Sequence, residues 1–165
     1  MKKVERIAAL YVATALLLAG CQIGWVHQPH SQQLAQPPEP VIAWQGKTAA
    51  TVPTSSCWSY ENEAVCKDMA APPEVIGEQK PKPLQVSPGA VLTVTFSPPP
   101  TDESLTVAQW IGTKRIEQLL ENGNQWKVPE QPGWYLFDVR GQWSQGDAGH
   151  AFVIEVRQNG QQRPL

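Results

Sequence analysis

The chain has 165 residues and a formal net charge of −2, with only 17% of its side chains charged and no basic run longer than a pair such as Lys114-Arg115. That balance excludes nucleic acid as a partner, because such binding needs clustered cations to displace counterions. Sixteen prolines, twelve glycines and seven tryptophans imply many short segments with frequent turns and large aromatic side chains for a core, which predicts an all-β fold.

Lys2, Lys3 and Arg6 precede an apolar run from Ile7 to Leu18 that only Thr14 interrupts, and small residues then lead into Cys21. At about 1.5 Å per helical residue this run is too short to span a bilayer of roughly 30 Å with margin, so it reads as a cleaved export signal over residues 1–20. Cleavage there leaves 145 residues; removing the signal's +2 (three cations against Glu5) from −2 leaves −4. The ending Leu18-Ala19-Gly20-Cys21 resembles the lipobox of bacterial lipoproteins. The resemblance implies lipidation of Cys21, palmitate-type acylation of the new amino terminus, and anchorage to the lipid bilayer of a cell membrane, facing outside the cytoplasm. Two or three acyl chains anchor stably where one binds marginally.

Residues 21–40 follow as a lipidated cysteine and a Gln/Pro-rich tether, too polar to bury a core and expected to be disordered. His27 and His30 lie in it without a third ligand, so no metal site is assigned. Residues 41–78 read as a hairpin region. Val41–Trp44 and Thr48–Val52 flank Gln45-Gly46-Lys47. Next, a two-residue turn at Glu61-Asn62 pairs Tyr60 with Glu63 and, counting outward, Cys57 with Cys66 in a non-hydrogen-bonded position. The expected Cα separation of about 4.5 Å suits a disulfide, and outside the cytoplasm two remaining cysteines are expected to pair. The alternative, a redox or metal pair, lacks both a Cys-x-x-Cys spacing and a nearby histidine. Ala70-Ala71-Pro72-Pro73 is then expected to break regular structure, and Glu78–Pro83 to form a second connection.

Residues 79–165 hold the clearest strand pattern. Leu84–Ser87 and Ala90–Ser97 are separated by Pro88-Gly89, with Leu92, Val94 and Phe96 sharing one face. Leu105–Ile111 carries Trp110. Lys114–Leu120 and Gln125–Val128 surround Asn122-Gly123, a strong hairpin signal, although Ile116–Leu120 also fits a helical turn. Gly133–Gly141 places Tyr135, Phe137 and Val139 inward at a period of two, and Gly149–Arg157 does the same with Phe152, Ile154 and Val156. Seven short strands at this spacing predict a β-sandwich.

Trp126-x-Val128-Pro129, Pro132-Gly133-Trp134-Tyr135-Leu136-Phe137-x-Val139 and Phe152-Val153-Ile154-Glu155-Val156 resemble the last three strands of bacterial immunoglobulin-like domains. The resemblance implies a tyrosine corner at Tyr135 and a core tryptophan at Trp110, but the inter-sheet cysteine pair of such domains is missing. The stretch from Ser56-Cys57-Trp58 to Gly149–Val156 is also similar to lipoproteins of Gram-positive bacteria.

No nucleophile elbow, zinc-binding helix, phosphate loop or calcium loop occurs, so no catalytic residue and no cofactor are assigned. A remote hydrolase reading would use His150 with Asp147 and Ser144. The tryptophans carry the stronger expectation. Trp58, Trp134 and Trp143 are candidates for exposed binding residues, with Trp134 set by parity opposite Tyr135 and Phe137. The competing expectation is that residues 41–68 fold over these rings and bury them. Exposed aromatics anchor protein partners or stack on sugars. The sequence therefore points to a non-catalytic adaptor or sensor domain for an envelope protein, with a cell-wall or glycan-binding module as the alternative.

Overall fold

The computed structural model describes residues 33–158. The expected export signal over residues 1–20, Cys21, His27 and His30 lie outside them. The centre of the fold is a long hairpin of β11 (Gly133–Trp143) and β12 (Gly146–Val156), in register from Gly133 opposite Val156 to Trp143 opposite Gly146. On β11 the odd residues Phe137 and Val139 face the core. On β12 the even residues Phe152, Ile154 and Val156 do so, and Phe137 stacks on Phe152 with centroids 5.8 Å apart. Gly146 sits at φ +148°, and a Cβ there would collide with the Cys57 carbonyl group, so only glycine lets the next strand approach.

Three short strands share the free edge of β12. They are β4 (Ser56–Tyr60), β3 (Thr51–Pro53) and, in parallel, β6 (Leu84–Val86). β5 (Glu63–Lys67) extends the sheet beyond β4. On the other side β8 (Thr106–Ile111) and β9 (Lys114–Glu117) follow β11. A second sheet, in the order β10-β7-β1-β2, is built from β1 (Val41–Trp44), β2 (Lys47–Thr48), β7 (Val91–Thr95) and β10 (Gln125–Lys127). Ile42, Leu92, Val94 and Trp126 of this sheet join Val107, Phe137 and Phe152 of the larger one in a single core. Among the described residues the fold is all-β apart from one helix.

That helix, α1 (Pro72–Gln79), occupies the segment expected to break regular structure. Proline is tolerated in the first helical turn, where its missing N–H has no intrahelical partner to lose. Lys80 then adopts φ 48°, its N–H bonds to the Ile76 carbonyl, and Pro81 stops the helix. The helix lies on the outer face of the larger sheet, against β12, β11 and β3, and buries Val75. Covered by a sheet on one side and a helix on the other, β12 is buried without a break from Ala148 to Val156.

Other expectations need correction. Asn122-Gly123 does turn with positive φ at both residues, but only the bridge between Glu121 and Gln125 forms across it. β9 and β10 belong to different sheets, so the turn is a sheet-to-sheet crossing rather than a hairpin. Ile116–Leu120 is not helical; β9 runs to Glu117 opposite Ala108. The boundary near residue 78 does not divide the body. β1 pairs with β7, and β3 and β4 pair with β12, so residues 41–68 contribute to both sheets. The tether ends before Pro40, since Leu34 is hydrogen-bonded to Gln145 and Trp58, and Pro38 and Pro40 are buried.

Candidate functional site

The disulfide forms as the hairpin arithmetic requires. Cys57 faces Cys66 in a register that also sets Tyr60 opposite Glu63, with Cα atoms 4.0 Å apart.

The three candidate binding tryptophans separate. Trp58 is only 5% exposed, on the same face as Trp143. The two rings meet edge-on with centroids 5.7 Å apart, and the Trp58 indole N–H donates to the Leu34 carbonyl at 2.9 Å. Trp143 is half-buried against Phe96 at 5.1 Å, and its N–H donates to the Pro98 carbonyl at 3.1 Å. Both rings are therefore structural, and neither presents a free face of the kind expected. Trp134 is 62% exposed, because the period of two sends it to the outer face while Tyr135 packs on the core. The Tyr135 hydroxyl donates to the Gln131 carbonyl at 2.9 Å, four residues upstream.

Trp110 also lies off the core. It shares the outer face of β8 with Ala108, and its indole N–H donates to Asp138 Oδ1 at 2.7 Å. The interior tryptophan is Trp126, fully buried against Phe137 and Phe152. Asp138 is itself completely buried. Arg115 Nε donates to its two oxygens at 3.0 and 3.2 Å, and Arg140 Nε reaches Oδ2 at 3.3 Å. This cluster was not singled out from sequence. The available signal was an acid set among Leu136, Phe137 and Val139 on a strand, which must be paired if it is buried.

His150 is buried on the inner face of β12, its Nδ1 has no hydrogen bond among the described residues, and burial pushes its pKa down while Glu39 pulls weakly the other way. Asp147, three positions away along the strand, points to the opposite face. Ser144 lies in the turn, roughly 20 Å along the chain at about 3.3 Å per residue. The three side chains of the hydrolase reading do not converge. Among the described residues no cluster of three or more His, Cys, Asp and Glu could hold a metal ion, and no helix is long and apolar enough to cross a membrane.

α1 crosses the outer sheet face and leaves a recess at each end. At its C-terminal end a groove of about 480 Å³ is lined by Ile76, Pro81, Pro83, Trp134 and Val153, with Lys80 and Lys82 on its rim. Neither lysine has an ion-pair partner among the described residues. An exposed indole over an apolar floor, edged by two free cations, can bury aromatic area while drawing in negative charge. At the N-terminal end the second recess runs from Pro72 to Arg140.

No protein-family model, curated protein or solved structure matches this chain.

Proposed function

We propose that this chain is an extracytoplasmic lipoprotein, anchored through acylated Cys21, whose immunoglobulin-like domain binds an envelope protein without catalysis. The observation that carries the reading is the Trp134 groove. Of the three candidate tryptophans Trp134 is the one left open to solvent, and it lies beside Pro81, Pro83 and two lysines with no ion-pair partner among the described residues. Interfaces concentrate their binding energy in such aromatic anchors, and rim charges steer the encounter. The partner segment is accordingly apolar with flanking acidic residues. Two sheets on a common core and the Tyr135–Gln131 hydrogen bond near the start of β11 support the immunoglobulin-like description.

The test places a photo-crosslinking residue at position 134 of the full chain in intact envelopes, and for comparison at Val91, which is exposed on the other sheet. The expected result is one discrete protein adduct from position 134, absent from position 91 and lost in K80E/K82E. Equal labelling at both positions would exclude the groove. Retention by purified cell-wall sacculi that W134A abolishes, with no protein adduct, would install the glycan-binding reading instead. Palmitate labelling that disappears in C21S tests the anchor separately.

A further inference from the structure

The recess at the N-terminal end of α1 has a volume of about 500 Å³, and its walls include Thr54, Met69, Ala71, Trp110 and Arg140. Two of its polar groups have bonding capacity to spare. Thr54 is only 3% exposed, yet its hydroxyl has no hydrogen-bond partner among the described residues. A buried hydroxyl without a partner costs free energy of about 1–3 kcal/mol, so such groups are exceptional in folded proteins. Arg140 gives only its Nε to Asp138. Its two terminal amino groups carry no hydrogen bond among the described residues, whereas Arg115 commits Nε to Asp138, Nη1 to Glu117 and Nη2 to Thr106.

Gly149 brings these two groups together. It faces Arg140 across β11 and β12, and its carbonyl accepts the Thr54 backbone N–H at 2.8 Å. A Cβ on Gly149 would lie 2.5 Å from the Thr54 hydroxyl and 3.5 Å from Arg140 Nε. The hydroxyl and the guanidinium therefore converge over Gly149, a position on β12 that has no side chain. Asp138 holds Trp110 and both arginines from beneath, so the recess is rigid on its charged side. Met69, Ala71 and the Trp110 ring add an apolar stretch to a wall that also includes Ser55 and Arg115.

A free guanidinium fork matches a planar carboxylate with two parallel hydrogen bonds, and the Thr54 hydroxyl adds a third donor. The fully buried Asp138 carboxylate behind the fork disfavours a doubly charged ligand such as phosphate, because the second negative charge would face it at close range. The apolar stretch has room for an aliphatic side chain beside the anion. We propose that this recess is a receptor for the C-terminal carboxylate of a peptide ending in a small aliphatic residue, held by Arg140 and Thr54. The site is independent of the Trp134 groove.

The full chain, purified in detergent, is titrated with N-acetyl-Ala-Ala-Val as the free acid, with the same peptide as its C-terminal amide, and with inorganic phosphate. The nuclear magnetic resonance signals of Arg140 Nε–H and the Trp110 indole N–H are followed. The free acid is expected to shift both saturably, the amide to shift neither, and phosphate to bind more weakly. R140K keeps the charge but loses the fork, and weakens binding about tenfold, the equivalent of one charge-assisted hydrogen bond. T54V keeps the shape and removes the orphan hydroxyl; it weakens binding several-fold while the thermal midpoint stays level or rises, which a purely structural role would not produce. The proposal is overturned if the amide binds as well as the acid, if phosphate displaces the peptide at equal concentration, or if T54V binds like the parent. The T54V arm decides the matter even if R140K fails to fold.

Discussion

At the level of single residues, Asp138 on the outer face of the larger sheet and His150 on its inner face are buried in opposite ways. Asp138 is buried with three donors around it, so its charge is compensated. His150 is buried on the core side with its Nδ1 unpartnered, so its charged form is penalised and its pKa is depressed. This has a definite sign. The unfolded chain takes up a proton at His150 near its ordinary value of 6.5, and the folded chain does so only at lower pH. Stability contributed by the neutral imidazole is present above that value and declines as pH falls below it, with a limiting slope of about 1.4 kcal/mol per pH unit for one proton. Denaturant midpoints measured between about pH 7 and 5.5 should fall for the parent chain. They should stay nearly flat for H150L, which removes the titrating group; equal slopes in the two would refute the assignment. Parity made Trp134 legible in the sequence as an outer-face residue. Parity could not place Trp110, because the same alternation fits whichever face meets the other sheet, and only the neighbouring Val107 in the core fixes the choice.

Individual elements were most legible where local chemistry decides them. The disulfide hairpin follows from its two-residue turn, and the register found is the one obtained by counting outward from Glu61-Asn62. Strands β7, β11 and β12 declare themselves by alternation. Two elements obeyed longer-range rules. α1 is read as a break if Pro72-Pro73 is taken as a stop signal, but the same prolines are favourable at a helix start, and the helix has an outer sheet face to cover. The strong Asn122-Gly123 turn specifies a reversal of the chain without specifying that both arms stay in one sheet. β4 and β5 offer a direct test of element energetics. Beyond Trp58 the hairpin is largely exposed, with every residue of β5 open to solvent, so little burial holds its outer strand. The cross-link then supplies much of its order. Replacing both cysteines (C57A/C66A) should cost about 2.7 kcal/mol in the chain-entropy account of a ten-residue loop, read as a lower denaturant midpoint at an unchanged slope. A loss below about 0.5 kcal/mol would show that β4's pairing with β12 suffices.

The whole molecule couples its amino-terminal approach to the far end of the central hairpin. Gln145, in the turn between β11 and β12, uses its side chain to accept from the Leu34 N–H at 2.8 Å and to donate to the Leu34 carbonyl at 2.9 Å and the Ser59 carbonyl at 2.9 Å. Trp58 adds a further bond to the same Leu34 carbonyl. Composition alone could not reveal this, because Gln33–Pro40 reads as a polar, proline-rich spacer and its partner is a glutamine 111 positions away. If Cys21 carries the anchor, docking at Leu34 shortens the longest possible spacer from about 60 Å for residues 22–40 to roughly 40 Å for residues 22–33, at about 3.3 Å per extended residue, which sets how far the Trp134 groove can reach from the bilayer. Q145A removes three hydrogen bonds and leaves the core untouched. It should lower stability by about 1–3 kcal/mol and speed proteolytic cleavage within residues 33–40 several-fold, while cleavage elsewhere in the body stays slow. Cleavage of this segment at the parental rate in Q145A would mean that the buried Pro38 and Pro40 hold it in place unaided, and that the clamp at Leu34 does not set the spacer's length.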